Sequence, residues 1–175
     1  TPDDSYHGIV YAEKFGKEGA FIYKATAQLM RDFGSTPAPQ SAFLLNLGLE
    51  TLAVRMERYC KNGLTVAKFL QGCDSVASIT YPGLESDKHY ERAQKYLPDG
   101  CSGVISFCIK GGREAATKFM DALKLASREV HVADIRTCVL HPASMTHRQL
   151  TDEQLVAAGI DAGMIRLSVG HENVE

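Results

Sequence analysis

Residues 13–33, EKFGKEGAFIYKATAQLMRDF, place Phe21, Ile22, Ala25, Leu29 and Met30 near helical spacing, with Gly34 where a helix stop belongs. Prolines 37 and 39 then break the pattern, and Pro39 stands ready to open a second helix. That helix, 41–60, is apolar nearly all round as far as Leu52 and gains charge only at Glu50, Arg55, Glu57 and Arg58. A helix apolar on every side calls for burial, in this domain or against another. NGLTVAKFLQG continues the pattern, with Gly63 as a weak point where a kink is expected and Gly72 as a cap.

From residue 75 the texture changes. Short β-like runs, VASITY, GVISFCIKG, VHVAD, TCVLH and MIRLSVG, alternate with helical patterns at DKHYERAQKYL, EAATKFMDALKL and DEQLVAAG. The class is α/β, a small sheet with helices. VHVADIRTCVLH is too short to hold a crossover helix, so some neighbouring strands are antiparallel or leave the sheet between runs. At the ends, TPDDS reads as a loop, and Glu172 and Asn173 read as the opening turn of a further helix. Together with the apolar 41–60 helix, these ends suggest part of a longer chain.

Composition narrows the function. With 175 residues and 45% hydrophobic content the chain buries a real core. A net charge of −2, with no run of Lys or Arg longer than two, argues against nucleic acid. No apolar run approaches the roughly 20 residues that cross a bilayer. Five cysteines without a CxxC pair fit reduced thiols in the cytoplasm.

Strand alternation in MIRLSVG sets Ile165, Leu167 and Val169 on one face and Met164, Arg166 and Ser168 on the other. An arginine among apolar neighbours needs an anion, and its planar fork suits a carboxylate. Either an internal Asp or Glu or the carboxylate of a ligand satisfies that need. HPASMTHRQL, 141–150, carries two histidines six residues apart, with His131 upstream, but this spacing is neither a helical pair nor a finger, so no metal is expected. His141-Pro142 ends a strand, and Thr151 with Gln154 forms a capping box. Without GxSxG or a base beside a cysteine, no nucleophile stands out. GLES and KGG lack the spacing of phosphate loops and read as turns.

YHG (6–8), GLETLAVRM (48–56), YPGL (81–84), HPASMTH (141–147) and IRLSVGHEN (165–173) together resemble, in order, the C-terminal half of the Cys/Met-metabolism pyridoxal-phosphate (PLP) enzymes. LETLAVRM with HVADIRTCVLHPAS and THRQL looks most like the O-acetylhomoserine sulfhydrylase branch of that family. The resemblance implies an aspartate-aminotransferase-like fold, in which 1–73 close the large domain and supply linker helices and 74–175 form the C-terminal substrate domain. It implies that Arg166 grips the substrate's α-carboxylate and that His131 stands where relatives place a second contact to it. Thr137 stands where many have serine and serves as structural support. It also implies that the cofactor lysine lies upstream, that Lys24 is not that lysine, and that this chain alone holds no catalytic or cofactor-binding residue and is inactive. The implied reaction uses electron withdrawal by PLP to remove protons at Cα and Cβ, expel acetate from Cγ and add sulfide or a thiol. The protein would be a cytoplasmic homotetramer acting on a small amino acid. Methionine or cystathionine γ-lyase, or γ-synthase, is the alternative within the family, and a stand-alone amino-acid-binding regulatory domain is the alternative outside it.

Overall fold

The computed structural model describes residues 1–174. Contacts divide them into two compact units, Thr1–Glu50 and Thr51–Glu175.

In the first unit, α1 (Tyr11–Tyr23) runs through a π-helical turn (Lys24–Met30) into α2 (Arg31–Phe33), and α3 (Pro39–Glu50) follows. Gly34 ends the first run in the left-handed region at φ 64°, where a residue without Cβ fits best. Gly16, at φ 72° and ψ 161°, interrupts α1, a break that periodicity did not reveal. Tyr11 donates to Gln28 Oε1 at 2.7 Å, and Lys24 pairs with Asp3 at 2.8 Å. Phe43, Leu44, Leu45, Leu47 and Leu49 of α3 are exposed.

The second unit opens with α4 (Leu52–Gln71), followed by β1 (Val76–Thr80), α5 (Tyr90–Tyr96), β2 (Val104–Ile109), α6 (Gly112–Ala122), β3 (Ser127–Arg128), β4 (Cys138–Leu140), α7 (Asp152–Ala157) and β5 (Met164–Ser168). The five strands form one sheet in the order β1-β2-β5-β4-β3. Every pairing is antiparallel except β3 with β4. The sheet is mainly antiparallel, within the α/β class that the sequence implied. Helices α4 and α6 pack on it, and Ala67, Leu70, Ala116 and Met120 meet Ile105, Phe107, Val139, Ile165 and Val169 in the core.

Two expectations fail for local reasons. The long helix breaks at Thr51 (φ −107°, ψ 5°), while α4 runs unbroken through Gly63. Gly63 is buried beneath the turn before β2, and a Cβ there would lie 2.6 Å from the Ser102 carbonyl oxygen. The glycine permits close approach and is not a hinge. VHVAD does not form a strand. The chain leaves the sheet after β3 and returns at β4, so 129–137 is an irregular loop anchored by side chains.

The Gly63 contact predicts that Gly63→Ala destabilises the protein. The substitution gains about 1 kcal/mol of helix propensity but forces a methyl into backbone, at a cost of roughly 1–3 kcal/mol or more. The urea unfolding midpoint should fall, and a raised midpoint would refute the packing argument.

Candidate functional site

Arg166 sits near the middle of β5, the central strand, opposite Ser106 of β2 and Leu140 of β4. Core residues Ile165 and Val169 face α4 and α6, so strand alternation turns Arg166 to the other side of the sheet. Its Nη2 donates to the Val130 carbonyl oxygen at 2.6 Å. Its Nε is buried and has no acceptor. Among the described residues no carboxylate lies within 4.0 Å of the guanidinium. The internal salt bridge left open by the sequence is therefore not made. Leaving such a half-buried group partly unmatched costs about 1–3 kcal/mol.

The loop that brings Val130 to Arg166 also carries His131, so these two residues occupy one region. His131 is exposed, and its Nδ1 lies 3.0 Å from Glu129 Oε2 and 3.6 Å from Asp134 Oδ2. Arg136 joins the same cluster, 3.2 Å from Asp134 and 3.6 Å from Glu129. Hydrogen bonding to Arg136 holds the Asp134 carboxyl down at about 2. Donor atoms of Glu129, Asp134 and Cys138 lie within 4.8 Å of one another. Arg136 already supplies positive charge there, and we assign no metal.

Several contacts clamp this loop to its surroundings. Ser168 Oγ accepts from Ala133 N–H at 3.0 Å, and the Tyr59 hydroxyl donates to Ala133 O at 2.8 Å. Ala133 has φ 60°, a strained value for a residue with a Cβ. At the loop's end, Thr137 donates to Glu172 through its N–H (2.6 Å) and its hydroxyl (2.9 Å). The same hydroxyl accepts from Gly170 N–H at 3.0 Å, and Asn62 Nδ2 donates to Gly170 O and Glu172 O, both at 2.9 Å. The support expected of Thr137 is thus given a partner that the sequence reading missed, since Glu172 looked like the start of a helix. Glu172 instead lies in a bend.

The histidines of HPASMTHRQL serve the fold locally. His141 is buried, with Nε2 2.8 Å from Ala162 O and Nδ1 2.8 Å from Ser144 Oγ. A carbonyl only accepts, so Nε2 carries the proton and Nδ1 receives the serine hydroxyl. His147 contacts Thr146 Oγ1 at 2.9 Å, and Thr151 with Gln154 completes the capping box of α7. A separate cavity of about 760 Å³, lined in part by Cys60, Lys68, Tyr81, Glu85, Asp99 and Cys101, contains none of the site residues.

The second unit is thus a two-layer α/β domain whose central strand carries Arg166, its Nε without an acceptor among the described residues. The chain belongs to the Cys/Met metabolism PLP-dependent enzymes, whose family model matches residues 3–175. It is 44% identical over 182 residues to the O-acetyl-L-homoserine sulfhydrylase of Leptospira meyeri, covering 99% of this chain and 41% of that protein. It is 45% identical over 174 residues to O-acetyl-L-homoserine sulfhydrylase 1 of Thermus thermophilus, covering 99% of this chain and 41% of that protein. The crystal structure of a putative O-acetylhomoserine (thiol)-lyase from Campylobacter jejuni, which contains a pyridoxyl-lysine phosphate, matches with a TM-score of 0.78 and 38% identity over 99% of this chain and 41% of that one. The chain spans about two fifths of the length of these relatives.

Burial alone would raise the Glu172 pKa, but the Thr137 N–H and hydroxyl outweigh it and hold the carboxyl below its ordinary 4.5. A depressed folded-state pKa means stability that is present above 4.5 and lost as pH falls through the folded value. Glu172→Gln should therefore lose less stability than the parent between pH 5 and pH 3, measured as the urea midpoint. Parallel curves would rule out this linkage.

Proposed function

We propose that the chain is the C-terminal part of a PLP-dependent γ-replacement transferase, an O-acetylhomoserine sulfhydrylase. The enzyme would replace the acetate of O-acetylhomoserine with sulfide or a thiol to give homocysteine or methionine. The observation that carries this reading is the unmatched guanidinium of Arg166, together with the names of the relatives that align over nearly the whole chain. Arg166 holds the substrate's α-carboxylate and so fixes the orientation of the amino acid, leaving Cα and its proton presented for chemistry. His131 stands beside that carboxylate as a second contact, on a loop where its Nδ1 also lies 3.0 Å from Glu129 and 3.6 Å from Asp134.

This reading assigns the substrate, and not the attachment of PLP, to the residues present. Every described lysine is exposed, and Lys24 is held by Asp3 at 2.8 Å. In this reading the cofactor lysine comes from outside these residues and the chain alone is inactive. Residues 1–73 then belong to the end of the larger domain and its linker helices, and the exposed apolar side of α3 supports a covering partner in the complete protein. Five free cysteines fit a cytoplasmic protein, and among the described residues no helix is long and apolar enough to cross a membrane. A homotetramer belongs to the same reading. A γ-lyase remains the alternative within the family. A separate regulatory domain is not favoured, since the chain aligns with enzymes over 99% of its length.

In the full-length holoenzyme, Arg166→Ala should raise KM for O-acetylhomoserine by about 10- to 150-fold, as expected for a lost charge-assisted hydrogen bond, while the cofactor absorbance stays. An unchanged KM would make Arg166 structural. With O-acetylhomoserine and sulfide the product should be homocysteine, and ketobutyrate in its place would establish the lyase.

A further inference from the structure

The acceptor of Arg166 is a main-chain carbonyl in an irregular loop, so the aim of the guanidinium depends on whatever holds that loop. Residues 129–137 leave the sheet, and the Val130 carbonyl has no strand partner to fix its direction. The loop is pinned midway by Ser168 and Tyr59, both through Ala133. Its C-terminal end is pinned by Glu172, which takes two hydrogen bonds from Thr137. The chain between β5 and Glu172 is fixed in turn. His171 N–H donates to Ile135 O at 2.9 Å, and Asn62 on α4 grips the carbonyls of Gly170 and Glu172. The fit tolerates no side chain at 170, where a Cβ would lie 2.5 Å from Arg136 C, Ile135 O and Glu172 Oε2 alike.

From this geometry we infer that Glu172 is a positioning residue for substrate binding: by tying Thr137 to the segment just after β5, it holds the 129–137 loop so that Val130 O aims the Arg166 guanidinium. The inference rests on the reading of Arg166 as the α-carboxylate site. Glu172 touches neither substrate nor cofactor in this scheme and acts only through the loop. Its carboxylate is suited to the task because it accepts two hydrogen bonds at once, one from the Thr137 N–H and one from its hydroxyl, and an amide retains a single acceptor atom. The arrangement favours a hydroxyl at 137, which both donates to Glu172 and accepts from Gly170 N–H.

The test uses the full-length holoenzyme and the amino-acid substrate. Glu172→Ala and Thr137→Val should each raise KM about tenfold, the scale of one hydrogen bond to a charged group, with kcat within about twofold and deuterium uptake increased over 130–137. Thr137→Ser, which keeps the hydroxyl, should recover most of what Thr137→Val loses. On an Arg166→Ala background, Glu172→Ala should add little, because both act through one contact. Equal KM values for Glu172→Ala and the parent would overturn the positioning role while leaving Arg166 in place. So would the same fold-rise on both backgrounds. If Arg166→Ala alone leaves KM unchanged, the carboxylate reading fails and takes this inference with it. Should Glu172→Ala not fold, the pair Thr137→Val and Thr137→Ser decides by the same readouts.

Discussion

A guanidinium on the central strand of a small sheet, half-buried and without a counterion among the described residues, sets the terms for the rest of the second unit. A positive charge in such surroundings is costly unless an anion joins it or polar groups are arranged around it. Here the described residues supply one carbonyl oxygen to Nη2 and no acceptor to Nε. The core on one side of the sheet, with Ile105, Phe107, Ile165 and Val169, is therefore as much a mounting for Arg166 as a source of stability.

Around that arginine the polar groups form a chain of support. Asn62 on α4, the backbone from Val169 to Glu172, Thr137 and the loop carrying Val130 are connected through hydrogen bonds of ordinary length. Each link joins segments distant in sequence, which gives an irregular loop the definition that a ladder would otherwise provide. The network is not complete, since Asn62 Oδ1 is buried without a partner. Ala133 in the left-handed region adds local strain that its two flanking hydrogen bonds oppose.

The sheet and the helices after residue 75 were legible because alternation and helical spacing were strong there, as in VISFCI and MIRLSVG. Arg166 stood out for the same reason, a charge in an alternating apolar run. VHVAD misled because its alternation imitates a strand, whereas its backbone groups bond to Ser168, Tyr59 and Arg166 from elsewhere in the chain. Gly63 misled because local propensity cannot register the turn at Ser102 that lies against it. Glu172 was invisible as a support because its partner is 35 residues away, and no periodicity reports a contact at that separation.

Strand alternation makes the arginine intolerant of insertion in a way that its neighbours are not. One residue added inside β5 would turn Arg166 toward Ile105 and Phe107 and bring an apolar side chain to the opposite face, so both the core and the placement of the arginine would be lost in a single step. The segment between β4 and β5, with its 3₁₀ turn at Pro142–Ser144 and the short helix α7, carries no such constraint on length. Variation in length among related chains should therefore be better tolerated in that segment than inside β5, where the arginine must keep its address.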